Sequence, residues 1–178
     1  MNICLHNRHF TPWISAQTIR ERVESMGRTL TEEYKGKNTV LLGVMKGALP
    51  FMMDLGREIP LPVEYSFFRV NSYDGTQRSG VLRADFSPKH EWLGKHVLIV
   101  EDIVDTGSTM NFLVDLVKAS GALSVKSVAL LYKPSAFSGN YPPDYVGFSI
   151  ENEFVAGYGL DYNGLGRNLP DIYKLIVE

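Results

Sequence analysis

Apolar residues recur along this chain in two rhythms. From Ser15 they fall at Ile19, Val23, Met26, Leu30 and Tyr34, the spacing that lines one face of a helix. Gly36 is placed to end that helix. The charges between, Arg20, Glu21, Arg22, Glu24, Arg28, Glu32 and Glu33, make its solvated face. Elsewhere the apolar residues come in short runs rich in β-branched side chains: Thr39–Val44, Val63–Val70, Val97–Val100, Ser124–Tyr132, Tyr145–Ile150 and Ile172–Val177. Such runs read as strands. Helical spacing returns between them. Pro50 marks the first turn of a helix running to about Glu58. Met110, Leu113, Val114 and Val117 share one face of another, which Gly121 closes. Strand, helix, strand in this order implies a parallel crossover and an α/β fold.

The polar residues that interrupt this pattern sit where strands give way to helices. The stretch Val97–Asn111 reads VLIVEDIVDTGSTMN. Thr106, Gly107, Ser108 and Thr109 are the residue types that open a helix and leave its first amides pointing outward. With the helix dipole behind them, those amides suit a phosphate. Glu101, Asp102 and Asp105 lie beside them at the carboxyl end of the strand, where open α/β sheets bind ligands. Three carboxylates repel a phosphate unless a divalent cation or ligand hydroxyls intervene. Mg²⁺ bound through a sugar phosphate meets both demands. Asp105 alone also reads as a helix N-cap. A second strand–loop–helix junction follows Val44 as Met45-Lys46-Gly47. It has the layout of a phosphate loop but not the GxxxxGK[ST] pattern, and Lys46 alone is equally a surface lysine. The polar stretch Asn71–Asp85 reads either as an exposed hairpin loop or as a lid that excludes water. Lys133 alone reads as a snorkelling surface lysine, and Phe154 as a core aromatic.

Composition narrows the partners. The 178 residues suit one domain, and 44% hydrophobic content suits a sizeable core. Net charge is −2 with no basic block, so nothing marks a nucleic-acid surface. The single cysteine, Cys4, excludes an internal disulfide framework. His6 and His9 have no further ligand nearby in sequence and read as structural or solvent-facing. No apolar run is long enough to span a membrane, and no secretory leader is evident, so a cytoplasmic protein is the expectation.

The wording VEDIVDTGST resembles the phosphoribosyl-pyrophosphate signature of the type I phosphoribosyltransferases, in its hypoxanthine-guanine branch. The resemblance runs from about Asn38 to Pro170, in four motifs in the family's order. It implies a twisted, mainly parallel sheet flanked by helices, with a core at roughly 36–150 and a small hood from the N-terminal segment and roughly 151–178. It also implies transfer of a phosphoribosyl group from phosphoribosyl pyrophosphate to a 6-oxopurine, Mg²⁺-dependent, by a homodimer or homotetramer.

Site residues follow from the same resemblance. GVMKGALPF resembles the family's pyrophosphate loop, with Lys46, Gly47 and a cis bond expected at Met45–Lys46. Arg69 matches a pyrophosphate-side arginine, and Ser72-Tyr73 the start of the mobile loop. Asp105, Thr106, Gly107, Ser108 and Thr109 are expected to hold the 5′-phosphate, and Glu101 and Asp102 to face the ribose hydroxyls through metal and water. Asp105 is also the candidate for the proton exchanged at the purine nitrogen. Lys133 is expected at the purine 6-oxo group, Phe154 stacked on the base, and the Val155 backbone at its edge. Asp161 matches the acid of a second Mg²⁺, and Arg167 the arginine that clamps pyrophosphate. Two positions depart from the family. Glu153 stands where some relatives carry lysine, and Leu165-Gly166 where relatives often carry an aromatic. Residues 1–14 match nothing.

VLIVEDI with Lys133-Pro134 also resembles a response-regulator receiver, but too few residues separate Asp102 from Lys133 for the strands and crossovers a receiver needs. A regulatory protein of the same fold, sensing phosphoribosyl pyrophosphate without catalysis, is the alternative. It would need a basic surface that this sequence lacks.

Overall fold

The computed structural model describes residues 1–71, 83–84 and 91–176. Two short strands, β1 (Ile3–Leu5) and β2 (Arg8–Ile14), come first, then α1 (Ala16–Tyr34). Ser15 caps α1 by accepting from Thr18 N, and its buried residues include Ile19, Val23, Met26, Leu30 and Tyr34, the predicted stripe. There follow β3 (Thr39–Met45), α2 (Leu49–Arg57), β4 (Val63–Asn71), β5 (Arg83–Ala84), β6 (His96–Val104), α3 (Ser108–Ala119), β7 (Ser124–Tyr132), β8 (Tyr145–Ser149), β9 (Val155–Ala156) and β10 (Ile172–Leu175).

The larger sheet has the order β5-β4-β3-β6-β7-β8. Its five strands from β4 to β8 run parallel, and β5 pairs antiparallel with β4. This is the expected α/β architecture. Alternation along β3 and β6 sends Leu41, Leu98 and Val100 to one face, under α1 and α2, and Val40, Leu42, Val97 and Ile99 to the other, under α3. Both faces are covered, which is why these strands read as continuous apolar runs.

The smaller sheet, β1-β2-β10-β9, is antiparallel. It joins the first residues of the chain to the last strands around Phe10, Ala156 and Tyr173. Neither β1 nor β2 was expected from the sequence pattern. Only Phe10 of β2 is fully buried (0% exposed), so the strand carries too weak an alternation to be read locally.

Three expectations need correction. The strand through Val97–Val100 does not stop there but continues to Val104, so Glu101 and Asp102 belong to the strand itself. The residue capping α3 is Gly107, in the left-handed region (φ 85), with no side-chain cap. The N-cap reading of Asp105 therefore fails. Finally, β10 ends at Leu175, earlier than the apolar run reaches. Among the described residues no helix is long and apolar enough to cross a membrane.

Candidate active site

Parallel strands end at the same edge of a sheet. The ends of β3, β6 and β7 therefore bring Lys46-Gly47, Glu101–Asp105 and Lys133 together. They meet the Glu153–Val155 and Asp161–Arg167 segments around a cavity of about 390 Å³. Of the residues singled out in the sequence, Lys46, Gly47, Glu101, Asp102, Asp105, Thr109, Lys133, Phe154, Val155, Asp161 and Arg167 line it. A side cavity of about 100 Å³ adjoins, lined by Thr106, Gly107, Ser108 and Thr109 and sharing Glu101, Ile103 and Asp105 with the first. Its size suits a phosphate, and its lining includes the opening residues of α3. Gly107 is required there twice over: its φ is positive, and a Cβ would lie 2.3 Å from the Phe137 ring.

Glu101 and Asp102 are buried. Burial, with Asp102 alongside, pushes the Glu101 carboxyl well above the usual range. Burial also raises Asp102, against the pull of the Ile103 amide that donates to its Oδ1 at 2.9 Å. Glu101 Oε2 has no partner among the described residues. An orphaned buried carboxylate oxygen is costly, and this one belongs to a residue that lines both cavities. Gly47 brings its backbone so close that a Cβ would lie 1.7 Å from Asp102 Oδ2. The bond before Lys46 is cis, as expected.

Lys133 is buried, which overturns its surface reading. Its Nζ donates to Asp105 Oδ2 at 3.0 Å and to Asn152 Oδ1 at 3.5 Å. Phe154 is 47% exposed, so it is no core aromatic. It stands beside Phe10 and edge-on to Tyr162, with ring centroids 6.3 and 5.8 Å away. Leu175 N donates to Phe154 O. By the alternation of an antiparallel ladder, the backbone groups of Val155 then point away from β10, at the free edge of the small sheet.

Arg167 Nη2 lies 2.6 Å from Asp161 Oδ1, and its Nη1 donates to Gly159 O at 2.7 Å. Arg69 is exposed and lines a neighbouring cavity of about 440 Å³, which shares Met45 and Lys46 with the first. Ser72 and Tyr73 lie outside the described residues. Glu153 also lines the main cavity and was not singled out as a site residue; its place immediately before Phe154 was the available signal. Among the described residues no three His, Cys, Asp or Glu side chains form a metal cluster by themselves. His6 instead makes a contact with Asn163 O at 3.1 Å.

Comparison with known proteins agrees with this geometry. The family described as phosphoribosyl transferase domain matches residues 15–163. The chain is 44% identical over 172 residues to a bifunctional TilS/HprT protein of Listeria monocytogenes, covering 96% of this chain but only 26% of that protein. It is 44% identical over 166 residues to a hypoxanthine-guanine phosphoribosyltransferase of Streptococcus pneumoniae, covering 93% of this chain and 92% of the relative. The structure of a hypoxanthine phosphoribosyltransferase from Staphylococcus aureus superposes with a TM-score of 0.88 at 35% identity, covering 99% of this chain and 98% of that one.

Proposed function

This chain belongs to the phosphoribosyltransferase family, and from that premise we propose that it is a purine-salvage enzyme. It transfers the 5-phosphoribosyl group from phosphoribosyl pyrophosphate to hypoxanthine or guanine, yielding IMP or GMP and pyrophosphate. The observation that carries the reading is the meeting, in one cavity, of two buried carboxylates with Lys133 and an exposed aromatic, Phe154, while the turn that opens α3 lines the side cavity adjoining it.

The amides opening α3 hold the 5′-phosphate, with Thr106, Ser108 and Thr109 hydroxyls around it. Glu101 and Asp102 face the ribose hydroxyls. The donors fit a hard divalent cation: they are carboxylate oxygens, and one of them, Glu101 Oε2, is buried without a partner. Glu101 and Asp102 would hold one Mg²⁺ and Asp161 a second. Held there, Mg²⁺ would supply positive charge to offset that of the pyrophosphate as it leaves. Lys46, Gly47, Arg69 and Arg167 bind that pyrophosphate, together with Ser72 and Tyr73. Lys133 donates to the purine 6-oxo group, Phe154 stacks on the ring, and the outward backbone of Val155 meets its edge. Asp105, with one oxygen taken by Lys133, offers the other to the ring N–H whose proton must leave as the glycosidic bond forms. Positioning and electrostatics supply most of the rate. The small sheet acts as a hood over the base, the chain functions as one domain, and the protein works in the cytoplasm as a homodimer or homotetramer.

Incubation with phosphoribosyl pyrophosphate and each purine in turn, with and without Mg²⁺, tests the proposal. Mg²⁺-dependent IMP and GMP are expected. Binding of phosphoribosyl pyrophosphate without nucleotide formation would favour a regulatory protein instead.

A further inference from the structure

Tyr158 is a bulky residue in a backbone conformation that few side chains adopt. Its φ is +47, in the left-handed region, and Gly159 after it has φ +98. The two form the tip of a tight turn, closed by Gly157 N donating to Leu160 O at 3.0 Å and Leu160 N to Gly157 O at 3.1 Å. Positive φ at both central positions suits a type I′ turn, where glycine and asparagine are the usual occupants. A tyrosine persists there only where its surroundings hold it. Here its ring is buried in the main core, and its hydroxyl donates to Asp54 Oδ2, on α2, at 2.7 Å. Neither Tyr158 nor Asp54 lines the substrate cavity; both line a separate one of about 300 Å³. The tip nonetheless touches the pyrophosphate side of the site. A Cβ on Gly159 would lie 2.0 Å from Gly47 O and 3.2 Å from Pro50 Cδ, so the tip rests on the Lys46-Gly47 loop and on the first turn of α2. Gly159 N donates to Arg167 O at 3.0 Å, and Gly159 O accepts from Arg167 Nη1 at 2.7 Å. The turn that grips Arg167 is thereby tied, through one phenol, to the helix that follows the loop.

We propose that Tyr158 is a positioning residue for pyrophosphate: its bond to Asp54 holds the turn tip against α2 and so fixes Arg167 beside the Lys46-Gly47 loop. The inference rests on the phosphoribosyl-transfer reading above. Without the bond the tip and the loop can part, and fewer molecules have both sets of pyrophosphate contacts aligned at once. Apparent affinity falls with that fraction. The nucleotide product is held by the turn opening α3, by Lys133 and by Phe154. It uses none of the groups that the tip positions, and its affinity stays as it is.

The test is the dissociation constant of pyrophosphate with Mg²⁺, set against that of IMP, by calorimetric titration of the wild-type protein, Tyr158→Phe, Asp54→Asn and Asp54→Ala. Tyr158→Phe keeps the ring and loses only the hydroxyl. It is expected to weaken pyrophosphate roughly three- to tenfold, the range that one hydrogen bond allows, and to leave IMP unchanged. Asp54→Asn gives up the exposed pair with Arg57 but keeps an acceptor for the phenol, and is expected to bind as the wild type does. Asp54→Ala should match Tyr158→Phe, and the double variant should be no weaker than either single one. Should Tyr158→Phe not fold, Asn against Ala at position 54 makes the same comparison. An unchanged pyrophosphate constant overturns the assignment, and so does an equal loss for IMP, which would mark the tyrosine as merely structural. Either result with nucleotide formation intact in the wild-type protein sinks this inference alone. No nucleotide from any purine in the wild-type protein sinks the transfer reading with it.

Discussion

Asp105 and Glu101 are two acids four residues apart with different surroundings, and each supports a distinct prediction. Asp105 is part-exposed and paired to Lys133. Replacing it by Asn keeps a hydrogen-bonding group but removes the base. Turnover should fall roughly 10²–10⁴-fold, while KM for phosphoribosyl pyrophosphate changes little; steady-state kinetics would show it, and a near-normal kcat would refute the proton role. Glu101 is buried and orphaned, with its carboxyl raised by burial and by Asp102. A carboxyl that binds its proton more tightly folded than unfolded costs stability increasingly as pH rises above its ordinary value. Glu101→Gln should therefore melt higher than the wild-type protein when unliganded. The gain should grow as pH rises above 4.5, the ordinary glutamate value, and reach roughly 2–4 °C at neutral pH for about 1 kcal/mol. The same variant should bind Mg²⁺ with phosphoribosyl pyrophosphate more weakly. Melting curves across pH, with and without ligand, decide both points.

At the scale of elements, the site depends on close approaches between loops. Gly47 lies against Asp102, and a Cβ on Gly159, whose φ is +98, would lie 2.0 Å from Gly47 O. Gly47→Ala must displace Asp102 or the pyrophosphate loop. It should raise KM for phosphoribosyl pyrophosphate at least tenfold, whereas the cavity-distant Gly36→Ala, with open space around it, should change only stability. Equal kinetics in the two variants would show that this approach does not matter to binding. These contacts also explain what the sequence disclosed and what it withheld. The run Ser124–Tyr132 was read with its true bounds because both faces of β7 are covered. The end of β6 was missed because Glu101 and Asp102 break the apolar pattern while the backbone stays paired to β7 as far as Val104. Lys133 looked like a surface lysine because nothing local reveals that Asp105 and Asn152 close around it. The resemblance, not the periodicity, pointed to its place in the cavity.

At the scale of the whole molecule, the proposed roles fall on both sheets. The strand ends of the parallel sheet would carry the ribose phosphate, with Lys133 and Asp105 reaching the purine, and the antiparallel sheet would supply the face on which the base rests. That second sheet joins the two ends of the chain, as where Leu175 pairs with Phe10, a pairing that local periodicity cannot announce. Phe10 is fully buried beside Phe154 and Tyr162. Phe10→Ala should cost about 3–5 kcal/mol of stability and raise KM for the purine more than KM for phosphoribosyl pyrophosphate. Equal rises in the two constants would argue against the division of labour. The most direct measurement is a crystal structure of the protein with GMP bound. The 5′-phosphate should lie within hydrogen-bonding distance of the amides between Thr106 and Thr109, with the purine against Phe154 and its 6-oxo group near Lys133. A phosphate found away from that turn, or a base seated anywhere but on Phe154, would contradict the assignment of the site.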